Sequence, residues 1–348
     1  MNSDFLSKIQ KFQPKFEEKL AKYTTWQIGG PAEVLVETKS SSELEEIILT
    51  CRQFGQQYTV LGGGSNVLIA DSGLRGLVII NRSTKIEVLD SQNFKQMIII
   101  PPVYGQAAQE YYTFSDLDYE ENGDPVLVKF DSGVNLPYSI GWLHKNNITG
   151  LQWFAGIPGT IGGALFNNIH GGTHHFSDYF YSATVLEDGQ KKEVDFIYFE
   201  FGYDQSIIRH KRNIIILDVT LQLQRGNVQK AKEVYREWNN RKKIQPKNTC
   251  GCLFKNIPPE VQKKYNFPTP STGYIIDKVL GWKGKTLGNL QISNWHAAFM
   301  ENLGGGRASD ALELISQIKQ EVKKKLDIDL ELEISLLGFD QKDLVKIL

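Results

Sequence analysis

The stretch Gly156-Ile-Pro-Gly-Thr-Ile-Gly-Gly-Ala164 decides the fold. It holds four glycines and one proline in nine positions, a composition that a regular core helix does not tolerate. Glycine lets the backbone come close to a bulky ligand, so such stretches are typical of sites where main-chain N–H groups reach a phosphate or a planar ring. Taken alone, the stretch is also compatible with a glycine-rich turn inside a β domain.

A second glycine loop, Leu61-Gly-Gly-Gly-Ser-Asn-Val-Leu68, lies upstream. A dinucleotide-binding fingerprint would require a helix directly after the loop. Here Tyr58–Leu61 predicts a strand before the loop and Val67–Ala70 predicts a strand after it. We therefore expect a strand-to-strand loop that cradles a pyrophosphate with its N–H groups, while Ser65 and Asn66 add side-chain hydrogen bonds.

The segment before this loop predicts a helix over Ser42–Phe54, with apolar residues along one face. Ser42 and Glu45 have the spacing of a capping box at its start. Together with a strand predicted at Gly76–Ile80, the helix and the loop indicate a small α/β unit.

The bulk composition excludes several classes of protein. Of 348 residues, 41% are apolar and the net charge is −1, so a globular core is expected and no basic field for nucleic acid is implied. The three cysteines make no disulfide framework, which favours a reducing cytoplasm. No stretch approaches the ~20 apolar residues of a membrane span. We expect a cytoplasmic protein that binds neither nucleic acid nor membrane.

Between the two glycine loops, strands are predicted at Lys85–Leu89, Met97–Ile100 and Val126–Phe130. Tyr111–Asp124 is acidic and aromatic, and we interpret it as a surface hairpin or loop insertion. Further predicted elements are a helix at Tyr138–Asn146 and strands near Ser182–Leu186, Lys192–Asp195 and Ile214–Leu223.

The C-terminal part begins with a basic predicted helix, Val228–Lys243, and holds a second helix at Ser309–Lys325. After it, Ile328–Leu336 alternates between apolar and polar residues, which predicts a strand. The alternation places Glu331 and Glu333 on the same polar face.

With both loops in place, the chain resembles the UDP-N-acetylenolpyruvoylglucosamine reductase (MurB) family of flavoenzymes over roughly residues 20–338. Each motif is weak alone, but seven in the family's order are specific. They are Thr24-Thr-Trp-Gln-Ile-Gly-Gly-Pro-Ala32, the loop at 61–68, Gly150-Leu-Gln-Trp-Phe-Ala-Gly-Ile-Pro-Gly-Thr-Ile-Gly-Gly-Ala164, Phe201-Gly-Tyr-Asp-Gln-Ser206, Gly251-Cys-Leu-Phe-Lys-Asn256, Gly273-Tyr-Ile-Ile-Asp277 with Gly281-Trp-Lys-Gly284, and Glu331-Leu-Glu-Ile-Ser-Leu-Leu-Gly338.

The resemblance implies an α+β fold with a vanillyl-alcohol-oxidase-type FAD-binding portion and a C-terminal α+β substrate-binding domain. The expected boundaries are 1–225 for the FAD-binding portion, with subdomains of about 1–83 and 84–225, and 226–348 for the C-terminal domain. A monomer is expected.

The resemblance also implies non-covalently bound FAD, NADPH as co-substrate, and reduction of UDP-N-acetylglucosamine enolpyruvate to UDP-N-acetylmuramate for peptidoglycan, with hydride from flavin N5. The implied cofactor contacts are Leu61, Gly62, Gly63, Gly64, Ser65, Asn66, Val67, Gly156, Pro158, Gly159, Thr160, Gly162, Gly163 and Ala164.

The chemistry requires cations or donors at the substrate carboxylate and an acid near the reacting carbon, because an enol ether accepts hydride only when its carboxylate takes up electron density. The resemblance assigns Cys252 as proton donor and Glu333 as support for the enolate-like intermediate. A thiol with the ordinary pKa of about 8.5 is mostly protonated at neutral pH. The alternatives are a small buried hydrophobe at Cys252 and a solvated polar face at Glu333, as we expect for Glu331.

The sequence departs from the family at Asp204, where an arginine usually polarises the substrate carboxylate. A carboxylate there would repel the substrate. Either Arg209 or Arg212 supplies the missing cation, or Asp204 points away and Lys243 or Lys255 supplies it, or the protein binds flavin without reducing this substrate. Arg209 is the predicted catalytic residue.

The implied substrate contacts are Tyr203, Ser206, Lys243, Lys255 and Asn256. A solvated basic helix end is the alternative for the two lysines. The two rival functions are an FAD-binding paralogue without this activity and a flavoprotein oxidase of the same superfamily.

The histidines His170, His174 and His175 suggest a metal at first sight. No carboxylate or cysteine stands at ligand spacing from them, so we expect no metal site.

Overall fold

The computed structural model describes residues 1–89, 117, 119, 121–211, 213–243, 245–345 and 347. The strand predicted at Met97–Ile100, most of the insertion predicted at Tyr111–Asp124, and Arg212 lie outside these residues. No helix within the described ranges is long and apolar enough to cross a membrane.

The first unit is a four-stranded sheet in the order β1-β2-β5-β3 with helices against it. Its elements are α1 (Ser3–Ile9), β1 (Lys15–Lys19), β2 (Pro31–Thr38), α2 (Ser41–Gln53), β3 (Tyr58–Leu61), β4 (Val67–Ile69) and β5 (Leu74–Asn81). Strands β2 and β3 both run parallel to β5. The apolar face of α2 is buried, as predicted, and the glycine loop joins β3 to β4.

The capping box predicted at Ser42 and Glu45 is wrong, because the helix begins earlier. Ser40 has extended backbone and its side chain accepts a hydrogen bond from the Glu43 N–H at 3.2 Å. The Glu43 carboxylate accepts in return from the Lys39 N–H at 2.6 Å. Ser42 already lies within the helix, where its side chain cannot serve as the cap.

The second unit is an antiparallel five-stranded sheet in the order β11-β10-β12-β7-β6. Its elements are β6 (Ile86–Leu89), β7 (Asp124–Asp131), α3 (Leu136–Lys145), α4 (Ile161–Asn167), β8 (His170–Gly171), β9 (His174–His175), β10 (Phe180–Glu187), β11 (Gln190–Val194) and β12 (Ile214–Arg225). Helix α4 begins inside the second glycine loop, so the loop sits over this sheet.

The third unit is mostly helical with a small sheet in the order β13-β14-β15. Its elements are α5 (Val228–Lys242), α6 (Pro259–Tyr265), α7 (Thr272–Tyr274, continued by a π-helical turn over Ile275–Val279), β13 (Thr286–Leu287), β14 (Leu290–Ile292), β15 (Met300–Asn302), α8 (Ala308–Leu326), β16 (Ser335–Leu337) and α9 (Gln341–Val345). The core of this third unit also contains three residues of the first unit, Trp26, Ile28 and Leu68. The first and third units therefore share a hydrophobic interior.

The strand predicted over Ile328–Leu336 is wrong for most of its length. Only β16 forms, and it pairs in parallel with β4. The preceding segment runs beside residues 253–255 through single contacts, in which the Lys255 N–H donates to the Glu331 carbonyl and the Glu333 N–H donates to the Leu253 carbonyl, both at 3.0 Å. Its alternating apolar side chains are buried without a continuous ladder.

The cap at Ser40 predicts a difference between two neighbouring serines. We expect Ser40→Ala to lower the free energy of unfolding by about 1 kcal/mol, because it removes an N-cap acceptor. The matched control Ser42→Ala should change it little, since alanine is a better helix former than serine. Urea unfolding of both variants measures the difference, and an equal loss in the two would contradict the assignment of the cap.

Candidate active site

The two glycine loops touch each other. A Cβ added to Gly63 would lie 2.6 Å from the Cα of Gly159, and one added to Gly62 would lie 2.5 Å from the Oγ1 of Thr160. The Ser65 hydroxyl donates to the Pro158 carbonyl at 3.1 Å. Backbone approach this close requires glycine, so the two loops form one continuous surface.

This surface presents main-chain donors. Among the described residues, the N–H groups of residues 62–66 donate to no backbone acceptor. Thr160 caps α4 by accepting from the Gly163 N–H at 3.2 Å. A cradle of free N–H groups beside a helix start fits the pyrophosphate of a dinucleotide such as FAD, and any larger side chain at Gly62 or Gly63 would fill it.

Asn66 connects the first glycine loop to the C-terminal unit. Its side-chain amide donates to the Asn167 side chain and to the Glu333 carbonyl, both at 3.2 Å. Its carbonyl accepts from the Ser335 N–H at 3.0 Å, which continues the pairing of β4 with β16. Glu333 is therefore held beside the glycine loops.

Cys252 lies beside the Glu333 segment and is half-buried. Its backbone bridges to Phe299, and the next residue, Leu253, accepts from the Glu333 N–H at 3.0 Å. Burial, followed by the nearby Glu333 and Asp204 carboxylates, raises the pKa of the Cys252 thiol well above its usual value. The thiol is consequently protonated at neutral pH, as a proton donor must be.

The Glu333 carboxyl group is also protonated near neutral pH. Burial is the main cause that raises its pKa to about 8, and Asp204 adds to it, while His170, Arg209 and Lys255 act in the opposite direction. A neutral carboxylic acid can donate a hydrogen bond to a carboxylate, which an ionised one cannot.

Asp204 does not point away from the site. Its Oδ1 lies 2.9 Å from the Nδ1 of His170, and its side chain is 6% exposed. Its Oδ2 is buried and has no hydrogen-bond partner among the described residues. One explanation in the sequence analysis was that Asp204 points away and that Lys243 or Lys255 supplies the cation. That explanation is wrong about the orientation of Asp204.

Arg209 reaches back, as the first explanation requires. Its guanidinium donates to the Asp204 carbonyl and to the Glu333 carbonyl, both at 2.8 Å. These bonds use two of its five N–H donors and tie the Asp204 turn to the Glu333 segment. Arg209 thus brings a positive charge to the group formed by Asp204, Glu333 and Cys252.

The predicted substrate contacts are divided between several places. Asn256 donates to the Tyr203 hydroxyl at 3.0 Å, near His170. Ser206 is fully buried and donates to the Phe166 carbonyl at 2.7 Å, so in this structure it holds a turn. Lys255 pairs with the exposed Glu331 at 3.2 Å.

Lys243 lies elsewhere, on a cavity of about 600 Å³ that Trp295 also lines. The preceding residue, Lys242, faces the second glycine loop instead. Its ammonium donates to the Ala155 carbonyl at 2.9 Å, and burial lowers its pKa to about 8. The sequence contained a signal for the position of Lys242. This residue lies one helical turn after the buried Trp238 and therefore on the same face of the helix.

His170 is the residue of this group that the sequence reasoning did not assign. Its partner Asp204 lies 34 positions away, so ligand spacing along the chain could not reveal it. Within the ranges that the structure describes, no group of three or more His, Cys, Asp or Glu side chains could hold a metal ion.

Comparisons with known proteins give one consistent result. A family model described as "UDP-N-acetylenolpyruvoylglucosamine reductase, C-terminal domain" matches residues 244–337. A UDP-N-acetylenolpyruvoylglucosamine reductase of Bacillus cereus is 30% identical over 92% of this chain and 93% of its own length. One of Rubrobacter xylanophilus is 31% identical over 95% and 98%.

Among solved structures, the UDP-N-acetylenolpyruvylglucosamine reductase (MurB) of Thermus caldophilus superposes with a TM-score of 0.67 at 27% identity. The match covers 93% of this chain and 98% of that one. The predicted α+β fold class and the resemblance are both confirmed.

The raised pKa of Glu333 predicts a pH-dependent stability difference. A carboxyl group with a folded-state pKa of about 8 stabilises the fold at low pH, and that contribution is lost as pH rises from its unfolded value of 4.5 to 8. We expect the midpoint of thermal unfolding of Glu333→Gln to rise relative to wild type over this interval. The exposed Glu331→Gln is the matched control for replacing a glutamate in the same segment, and parallel curves for Glu333→Gln and wild type would contradict the assignment.

Proposed function

The chain belongs to the UDP-N-acetylenolpyruvoylglucosamine reductase family, and from that premise we propose how its own residues perform the reaction. The protein is a flavin-dependent oxidoreductase that reduces UDP-N-acetylglucosamine enolpyruvate to UDP-N-acetylmuramate in peptidoglycan precursor synthesis. NADPH is the reductant and FAD the cofactor. We propose further that it acts as a cytoplasmic monomer.

The joined glycine loops support the assignment of the FAD site. When bound, FAD takes up two electrons from NADPH and makes them available to the double bond of the substrate. The residues that would hold it are the main-chain groups of 61–67 and of the 156–164 stretch, with Ser65 and Asn66 alongside. We propose 1–225 as the FAD-binding portion, with subdomains at about 1–83 and 84–225, and 226–348 as the substrate domain.

The chain must also supply one proton and a place for the substrate carboxylate. We propose that the Cys252 thiol supplies the proton to the reacting carbon, because it is protonated and lies next to the Glu333 segment. Neutral Glu333 donates a hydrogen bond to the carboxylate as electron density builds up there. Arg209 contributes positive charge from the other side of Glu333.

We also propose that the substrate contacts are Tyr203, Ser206, Lys243, Lys255 and Asn256. The pair formed by Tyr203 and Asn256 has the best supporting geometry, since it lies on the side of the site where Asp204 and His170 meet. Ser206 supports the turn, and Lys243 would act from the cavity at Trp295.

One observation carries the proposal. Asn66, in the FAD loop, bonds directly to the Glu333 carbonyl at 3.2 Å. A cofactor on the loops and a substrate at Glu333 would therefore meet, which is what electron transfer between them requires.

Two half-reactions test the function and the proton donor together. Wild-type holoenzyme should be reduced by NADPH and then reoxidised anaerobically by UDP-N-acetylglucosamine enolpyruvate in stopped flow. We expect Cys252→Ala to slow reoxidation by ~10²-fold or more, because general acid catalysis is worth about that much. Cys252→Ser keeps a donor and should recover part of the rate.

The neighbouring Cys250 is buried and serves as the matched control, so Cys250→Ala should reoxidise like wild type. Reduced wild type that is never reoxidised by the UDP-sugar would refute the reductase assignment and favour a non-catalytic paralogue. Rapid reoxidation by oxygen alone would favour an oxidase. Unchanged reoxidation in Cys252→Ala would remove that residue as the acid.

The cradle predicts that Gly63→Ala loses FAD. Its new Cβ would lie 2.6 Å from the Gly159 Cα, so the two loops must separate. We expect the purified variant to carry a clearly lower ratio of flavin to protein absorbance. Gly141→Ala is the control, because a Cβ there meets nothing within 4 Å and the residue lies in helix α3. Full flavin content in Gly63→Ala would contradict the site.

A further inference from the structure

We propose that His170, oriented by Asp204, is the cationic hydrogen-bond donor that receives the substrate carboxylate. The inference rests on the proposed function and adds a residue to it. A carboxylate that takes up electron density needs a cation or a strong donor close by. His170 is the side chain whose position and partners meet that need.

The histidine ring is fixed on two sides. Its Nδ1 lies 2.9 Å from the Asp204 Oδ1, so the carboxylate holds the proton on Nδ1 and sets the orientation of the ring. Its face stacks on Tyr203, with ring centroids 5.2 Å apart and an angle of 26° between planes. Within the described residues Nε2 has no hydrogen-bond partner, and 28% of the His170 side chain is accessible.

The backbone places the His170 ring where the glycine loops meet the substrate domain. His170 follows α4, the helix that starts in the second glycine loop. Asn168, between them, adopts a left-handed backbone with φ of 46°, and its side chain donates to the Gly202 carbonyl at 2.9 Å. That bond ties the His170 turn to the Asp204 turn, and Arg209 ties the latter to Glu333.

The charges of the group favour one incoming carboxylate. Burial lowers the pKa of His170, but the charge and hydrogen bond of Asp204 outweigh it and raise the pKa above 6.5. Asp204 and protonated His170 cancel, Glu333 is neutral below a pH of about 8, and Arg209 and Lys242 remain as positive charges. Without the imidazolium, the Asp204 charge would cancel one of these two cations, so the protonated ring adds one positive charge to the group that meets the substrate.

Several titratable groups lie around the His170 ring. From the elements packed around it they are Asp204, Tyr203, His175, Glu333 and Lys242. Asp204 favours the protonated ring, as does Glu333 once it is ionised, and Lys242 opposes it, so Asp204, which is hydrogen-bonded to the ring, sets the direction.

The test compares two ligands that differ in the lactyl group, which bears the carboxylate. UDP-N-acetylmuramate carries one and UDP-N-acetylglucosamine does not. Holoenzyme is titrated with each, with binding followed by the flavin spectrum and by calorimetry. We expect His170→Gln to weaken binding of UDP-N-acetylmuramate by ~10- to 100-fold, the usual range for a charge-assisted hydrogen bond, and to leave UDP-N-acetylglucosamine unchanged. The exposed His210→Gln is the matched control and should alter neither.

The pH profile separates a cation from a merely structural histidine. In wild type, affinity for UDP-N-acetylmuramate should fall as pH rises through the raised pKa of His170. Asp204→Asn should move that fall to lower pH, because it removes the charge that keeps the ring protonated, and His170→Gln should leave only the fall near pH 8 that accompanies ionisation of Glu333. Asp204→Asn also keeps the proposal testable if His170→Gln does not retain flavin.

Equal losses for both ligands in His170→Gln, or an unmoved profile in Asp204→Asn, would overturn the proposal. The result is separable from the proposed function. Carboxylate-selective binding that depends on His170, without reoxidation of wild type by the enolpyruvyl substrate, would refute only the reductase activity. Normal reoxidation with carboxylate binding indifferent to His170 would refute only the role of the histidine.

Discussion

The parallel pairing of β4 with β16 is the constraint on which the site depends. It joins the strand that leaves the first glycine loop to the last strand of the C-terminal unit. Asn66 extends the same junction with its carbonyl and its side chain. Because Glu333 lies two residues before β16, this pairing holds Glu333 close to the glycine loops. The shared core at Trp26, Ile28 and Leu68 keeps the two units from moving apart.

Burial of the site has a chemical consequence beyond packing. In a low-dielectric interior the Glu333 carboxyl group is held neutral and the Cys252 thiol is held protonated, so both keep a proton that they can donate. The same burial makes an unpaired Asp204 costly, since an isolated buried carboxylate must neutralise itself or find a cation. The His170 contact at 2.9 Å provides that cation. The Asp204 carboxylate, which looks unfavourable in the sequence, therefore has as its partner a residue that the fold brings from 34 positions earlier in the chain.

Local patterns predicted most of the architecture, because the loops, the helices α2, α5 and α8, and the strands of the second sheet carry strong glycine or periodic signals. The two errors have physical causes. Ser40, rather than Ser42, caps α2 since the backbone enters the helix earlier than the apolar pattern shows. The segment before β16 alternates in burial without a ladder, because it packs beside residues 253–255 through isolated bonds. The resemblance to the family singled out Cys252 and Glu333 as candidate site residues. The contact of His170 with Asp204, in contrast, arises only from tertiary folding.

Helical phase and exposure also distinguish the two lysines at the end of α5. Lys242 continues the buried face that carries Val234 and Trp238, so its stem is covered and its ammonium reaches the second glycine loop at Ala155. Lys243, one position later, turns to Asn240 and to the cavity at Trp295. A lysine whose pKa is lowered to about 8 by burial is still largely cationic at neutral pH, and its charge opposes that of His170 across the loop. The attraction of Asp204 for the imidazolium must therefore exceed both the desolvation of the ring and the repulsion from Lys242, which is why the ion pair with Asp204 keeps the His170 ring charged.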